Sequence, residues 1–421
     1  MKQLLTTTIA FGLVAHGAAA AELTAQSYAS SIGTSDAMIA GAERFEADTE
    51  HDVTYNAIPS SGYNDAVNAA AAAGDLPDVL MIDGPNVANY VWAGYLRPLN
   101  ELVDPELLAD MTSAMKKQGT YGPDGKLYCI GPVDAGLSIL GNRAYLEKAG
   151  VRIPEGIDDA WTREEFEDAL AKLAELEEVD APLDMKLNYG VGEWMTYAFS
   201  PIVQSMGGDL IDRETWKADG TINSEASVAA LEMVQGWNEK GWIVPGSAGD
   251  ASFYGDKTSA LSWIANWGVK PGQEGLGDDL LILPMPDFGS GPVTALGSWC
   301  WTITRDAEDP QAAADLLEYL LAPETIAGMY EAGVYPSGRT SALSSTPRYD
   351  AGGDLELYQK QLDQIAIERP VHPAYPVISS AFSQAFDDVL NGADPQKALD
   401  AAAAKIDRDI DDNAGYPPFG R

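Results

Sequence analysis

The chain has 421 residues, 46% of them apolar and 21% charged, with 26 Lys and Arg against 64 Asp and Glu and a formal net charge of −38. That length and apolar content suit two or three domains with real cores and exclude a disordered chain. No basic stripe offsets the negative field, which excludes nucleic acid and anionic lipid surfaces as partners.

In chain order, Met1-Lys2 is followed by the apolar stretch Leu4–Val14 and the small-residue run Gly17-Ala18-Ala19-Ala20-Ala21. This reads as a secretory signal peptide over residues 1–21, cut between Ala21 and Glu22. It is too short for a membrane span and lacks a stop-transfer flank. Loss of Lys2 leaves 25 Lys and Arg against 64 Asp and Glu, a net charge of −39 on an exported, soluble protein.

Leu23–Tyr28 predicts a first strand with Ser30 and Ser31 in the loop at its end, and Ser35 caps a helix that places Met38, Ile39, Ala42 and Phe45 on one face. Val53–Ile58 is a second strand, Asn64–Ala73 a helix closed by Gly74, and Asp78–Asp83 a continuous apolar run of the buried parallel kind. Strand, helix, strand, helix, strand is a doubly wound α/β unit, in which ligands sit at the carboxyl ends of the strands. Ser30, Ser31 and Asp83 fall there. Further on, Thr162-x-x-Glu165 is a capping box, Ser224 opens a helix that stops at Gly241, and Leu280–Leu283 is another buried strand. Asp309-Pro310 and Asp394-Pro395 each start a helix with Pro in its first turn. No linker or repeat interrupts the chain, so two lobes joined by several short crossings are expected.

Catalytic motifs are scarce. His16 leaves with the signal, His51 sits in a polar turn, His372 lies between prolines, and Cys129 and Cys300 have no zinc spacing with either. No H-E-x-x-H, P-loop or G-x-S-x-G occurs. No metal or other cofactor is called for. Two acids would suffice for a glycosidase, so an exported glycan-cleaving enzyme stays in play.

Four segments carry a family resemblance. They are Gly74-Asp75-Leu76-Pro77-Asp78-Val79 through Ala93-Gly94-Tyr95-Leu96-Arg97-Pro98-Leu99, then Gly207-Gly208-Asp209-Leu210 with the helix that follows it, then Gly297 to Arg339, and lastly Arg369-Pro370 to Ile406. In this order the sequence resembles the extracellular solute-binding proteins of ABC importers, in the sugar-binding family that includes maltose-binding protein. The resemblance implies an α/β, two-lobed periplasmic-binding-protein fold with a ligand cleft and multiple hinge crossings, near Pro132–Asp134 and Ala295–Trp299. It divides the chain into lobe one, 22–133 plus 296–343, and lobe two, 134–295 plus 344–421. One departure is Gly141 before Asn142, where the family usually carries Tyr.

Within that frame the function expected is a periplasmic, non-catalytic, monomeric protein that closes on a neutral mono- to oligosaccharide and delivers it to the membrane subunits of an ABC transporter. A ligand such as a sugar acid, polyol or glycerol phosphate fits the same fold. Sugar rings want aromatic faces and carboxylates. Trp161, Trp216 and Trp237 read as core. Trp194, Trp263, Trp267, Trp299 and Trp301 lie in polar breaks, with Trp301 on the face of Trp299 and Cys300 opposite. The ligand-binding set is Asp83, Asp134, Trp194, Trp267, Gly297, Trp299, Arg339, Ser31 and Asn266, with Tyr28, Ser30 and Tyr254 as weaker candidates. For Asp83 the competing role is a helix N-cap, for Asp134 a hinge hydrogen bond, and for Arg339 a salt bridge. Cys129 and Cys300, an even pair that the family topology puts beside the two crossings, are expected to form a disulfide.

Overall fold

The computed structural model describes residues 20–30, 33–59 and 62–417, save the side chain of Asp65. Residues 1–19 of the expected signal segment, and Ser31, lie outside them. The first α/β unit comprises β1 (Glu22–Ala29), α1 (Thr34–Asp48), β2 (Asp52–Pro59), α2 (Tyr63–Ala73) and β3 (Val79–Asp83). β1 pairs parallel to both β2 and β3. Ser35 does not cap α1: Gly33 precedes the helix with φ 84°, and the Ser35 hydroxyl instead accepts from the Ser30 N–H at 3.3 Å.

The second sheet draws on β4 (Leu137–Asn142), the capping-box helix α3 (Arg163–Leu173), β5 (Leu183–Asp184), α4 (Glu193–Ser205), α5 (Glu225–Glu239), β6 (Leu261–Ala265) and β7 (Leu280–Leu283). Its strand order is β5-β6-β4-β7. The chain then forms β8 (Thr294–Leu296) and β9 (Trp299–Ile303), α6 (Pro310–Leu320), α7 (Pro323–Gly333), α8 (Glu356–Gln364), β10 (Ala366–Glu368), α9 (Tyr375–Leu390) and α10 (Pro395–Asp412). β9 returns to the first sheet and pairs antiparallel with β3, so that sheet runs β9-β3-β1-β2. The caps read from sequence hold α3, α5, α6 and α10: Thr162, Ser224, Asp309 and Asp394 each accept a backbone N–H of the first turn.

Alternation along the strands sets the cores. Val79 and Met81 of β3, with Trp301 and Ile303 of β9, face the core under α1 and α6. Leu80, Ile82 and Cys300 face a second core that also holds Cys129. Both faces of β3 are therefore buried, as its unbroken apolar run required, while the edge strand β2 stays largely exposed. In the second sheet Ile139, Leu261 and Trp263 face a large core shared with α9 and α10, while Leu140 and Ile264 face a smaller one with Tyr349 and Tyr358. Gly141 sits in β4 between Leu261 of β6 and Leu281 of β7. A Cβ there would lie 3.0 Å from a Leu283 methyl, so the neighbouring leucines occupy the volume an aromatic side chain would need.

Cys129 and Cys300 are joined by a disulfide, with Cα atoms 5.6 Å apart, on the face of β9 away from Trp301. It closes a loop of 171 residues. Chain entropy for a loop of that size is worth about 4–5 kcal/mol. Protein denatured without reductant should yield no titratable thiol, and reduction should lower the unfolding free energy from denaturant titration by an amount of that order. Two thiols in the unreduced protein would disprove the bridge.

Candidate functional site

Between the two sheets lies a cleft of about 600 Å³. Its first wall is built at the carboxyl end of β3. Asp83, the last residue of β3, pairs in register with Trp299, the first of β9. Trp299 packs against Tyr28 at 4.6 Å between ring centroids and edge-on against Tyr63 at 5.2 Å. Tyr63 is fixed by donating its hydroxyl to the Met81 carbonyl at 2.6 Å.

The opposite wall is aromatic too. Trp267 stacks on Tyr197 at 6.1 Å and meets Trp194 at 6.0 Å and Tyr335 at 6.4 Å. Trp194 donates its indole N–H to the Met185 carbonyl at 3.2 Å, and Tyr189 abuts its ring at 5.1 Å. Asp250 and Tyr254 complete this side.

At the floor the two walls share one charge. Arg369, just after β10, donates both terminal nitrogens to Asp83, at 2.7 and 3.0 Å. The nitrogen that makes the shorter of these bonds also reaches Glu193, at the start of α4, at 2.6 Å. Glu193 accepts in addition from the Tyr375 hydroxyl and from Ser379 at 2.7 Å. The Arg369 side chain is 4% exposed and that of Asp83 6%, and the guanidinium lies 5.1 Å from the Tyr197 ring centre. Burial works against the charge of Arg369, and Asp83, Tyr375 and Glu193 more than offset it, raising its pKa. Burial pushes the Glu193 carboxyl up, Arg369 pulls it down and Asp83 pushes it up again. Gly297 belongs to this floor: its φ is 118°, and a Cβ would come within 3.2 Å of an Arg369 nitrogen.

The structure thus brings Asp83, Trp194, Trp267, Gly297 and Trp299 to one cleft. Asp83 makes no N-cap bond, because its carboxylate is committed to Arg369. Three other candidates are placed elsewhere. Arg339 donates to Asp110 at 2.8 Å and to the Leu321 carbonyl at 2.8 Å, a salt bridge within the first lobe. Asp134 accepts the Ala135 N–H at 2.8 Å inside the hinge. Asn266 is fully buried, donating to the Val334 carbonyl and accepting from the Gly136 N–H, so it ties the end of α7 to the segment just before β4. Trp263 and Trp301 are core residues, since both lie mid-strand rather than in a break. Neither histidine reaches the cleft: His51 accepts from the Ala21 N–H, and His372 packs on Trp216 at 4.5 Å.

Arg369, Glu193, Tyr197, Tyr335 and Asp250 were missed from sequence. Arg369 carried one signal, as a rare cation beside a proline in an acidic chain.

The buried pairs give two predictions. Removing one member of a buried ion network costs about 3–5 kcal/mol, whereas replacing the whole network can be nearly neutral. Arg369→Met should therefore lower unfolding free energy by that amount, and adding Asp83→Asn with Glu193→Gln should recover part of it. Equal losses in the single and triple variants would contradict the triad.

The second concerns pH. Burial pushes the Asp134 carboxyl up to about 6, against the Ala135 and Gly297 N–H groups. The folded protein then keeps a proton that the unfolded chain has released, so this residue's stabilisation is full below about pH 4 and lost as pH rises through about 6. Burial lowers His372 to about 4, with the opposite sign: its contribution is full above about pH 6.5 and lost as pH falls through about 4. Asp134→Asn should gain about 2–3 kcal/mol on the wild type between pH 4 and 7, measured by urea unfolding. Parallel stability curves would reject this.

Comparisons with known proteins now bear on the fold and family. The GacH receptor of Streptomyces glaucescens, solved unliganded and with acarbose, superposes with a TM-score of 0.79 at 22% identity, covering 93% of this chain and 99% of that one. An ABC transporter solute-binding protein from Thermotoga lettingae, bound with α-D-tagatose, has a TM-score of 0.79 at 20% identity over 92% and 99%. The cyclic α-maltosyl-1,6-maltose binding protein of Arthrobacter globiformis gives 0.72 at 22% identity over 93% and 99%. At these identities the likeness is one of fold, the α/β, two-lobed binding-protein architecture. The bacterial extracellular solute-binding protein family matches residues 40–355, three quarters of the chain, and the protein belongs to that family.

Proposed function

We propose that this protein is the sugar-binding component of an ABC importer, exported to the periplasm by residues 1–21, monomeric and non-catalytic. Lobe one is residues 22–133 plus 296–343 and lobe two 134–295 plus 344–421. The lobes close on a neutral mono- to oligosaccharide, and the closed form is presented to the membrane subunits of the transporter. The observation that carries this reading is the cleft itself, aromatic on both walls with its one lining guanidinium already bound by two carboxylates. Its volume suits one to several rings. Stacking faces for C–H surfaces and fixed acceptors for hydroxyls are what a neutral sugar needs. The proteins of like fold named above, bound to acarbose or tagatose, support the same class. Against an anionic ligand, Arg339 is engaged with Asp110 and Arg369 with Asp83 and Glu193. Against a glycosidase, Asp83 and Glu193 are both hydrogen-bonded to the same guanidinium at the floor, and Glu193 also to Tyr375 and Ser379.

The test is a sugar panel scored by thermal shift and calorimetry, with product analysis. Saturable binding without turnover is expected; turnover would establish the enzyme instead. Trp267→Ala and Trp299→Ala should each lose about 2 kcal/mol or more of binding. Trp237→Ala, buried against Phe166, should cost about 3–5 kcal/mol of stability and alter binding only through unfolding. Neutral binding effects at Trp267 and Trp299 would move the ligand elsewhere.

A further inference from the structure

A second charged device lies under the lobe-two wall. Lys186 is 0% exposed and adopts φ 53°, a left-handed conformation that costs a lysine energy. Its ammonium meets Asp184 at 2.8 Å, the Asp250 carboxylate at 3.2 Å and the Asp250 carbonyl at 2.7 Å. Asp184 is buried with it, while the Asp250 side chain is 49% exposed and lines the cleft. The remaining Asp250 oxygen accepts from Tyr254 at 2.5 Å. The Tyr254 ring in turn lies 4.6 Å from the Lys186 ammonium.

Two carboxylates share one lysine, so one negative charge is left over. Of the two carboxylates, Asp250 is the one that faces the cleft. Asp250 is thus oriented from behind at both oxygens, yet half of its surface is open to a ligand. The other acids on the described cleft lining, Asp83 and Glu193, are both bound to Arg369.

We infer that Asp250, positioned by buried Lys186, is the specificity-determining residue of the cleft. It accepts hydrogen bonds from ligand hydroxyls and turns away the same sugar carrying a carboxylate or phosphate at that end. This rests on the sugar-binding reading and adds to it the atom that reads ligand charge. Lys186 acts through Asp250 and touches no ligand. Its strained backbone and complete burial follow from the need to place a cation behind the wall rather than in the cleft, where it would attract anions.

The experiment compares wild type with Asp250→Asn, each confirmed folded by circular dichroism, against glucose- and maltose-series sugars and their uronate and phosphate counterparts. Wild type should bind a neutral sugar and bind its anionic counterpart at least about 10-fold more weakly. Asp250→Asn should lose about 10- to 100-fold for the neutral sugar, the loss of a charge-assisted bond, and should narrow the gap between neutral and anionic forms. A folded Asp250→Asn with unchanged affinity and an unchanged gap overturns the inference while leaving the sugar-binding reading intact. If Asp250→Asn does not fold, the wild-type comparison decides: equal affinity for neutral and anionic forms overturns the inference. If wild type binds no sugar of the panel, the functional reading fails and this inference with it. Lys186→Met, with the Asp250 carboxylate retained, removes the cation behind the wall and should weaken binding of the neutral sugar while widening the same gap, a readout that loss of packing alone would not move; a narrowed gap overturns the inference.

Discussion

The cleft depends on a single guanidinium shared between two lobes. Asp83 arrives at the end of a strand in one sheet, Glu193 at the start of a helix packed on the other, and Arg369 holds both. A planar fork with fixed donor directions sets geometry as well as charge. Arg369 thus links the end of β3 to the start of α4 at the floor of the cleft. Gly297 beside it has a positive φ that side-chain-bearing residues rarely adopt, and a Cβ there would press on the guanidinium at 3.2 Å.

Charge on this protein is distributed against expectation for its composition. The chain bears a net −38, yet the cleft is walled mainly by rings. Its acids are fixed by partners: Asp83 and Glu193 by Arg369, Asp250 by Lys186 and Tyr254. Buried carboxylates persist only when paired or hydrogen-bonded, and here the pairing leaves them oriented as acceptors. The same logic accounts for Arg339, whose salt bridge to Asp110 ties the return segment to the first lobe instead of presenting a cation to solute.

Much of the fold was legible in the chain. The α/β unit from β1 to β3, the caps at Thr162, Ser224, Asp309 and Asp394, and the buried character of β3 all follow from local periodicity and capping chemistry, whereas β7, expected to be buried, is an edge strand whose residues alternate between buried and half-buried. The Ser35 cap failed because Gly33, with positive φ, is the residue that starts that helix, two positions earlier. Of the site, Asp83 was found because strand ends at a sheet's carboxyl edge are predictable positions, and Trp299 because it follows Gly297-Ser298 at the expected second crossing. Trp263 and Trp301 misled because small polar neighbours look the same in a strand as in a break. Asp134 and Asn266 lie at the hinge, where backbone groups of crossing segments need partners of the same kind that a ligand would need.

By itself the sequence determined the succession of strands and helices in the first α/β unit, the starts of the capped helices, and the order of segments shared with the solute-binding family. Those properties are local or periodic, so neighbouring residues suffice to read them. Only the tertiary structure decided which charges meet. Arg369 lies 286 residues from Asp83 and 176 from Glu193, and Lys186 lies 64 from Asp250. Coulombic and hydrogen-bond partners are selected by through-space distance after the chain has crossed between lobes, and no spacing along the chain encodes that distance.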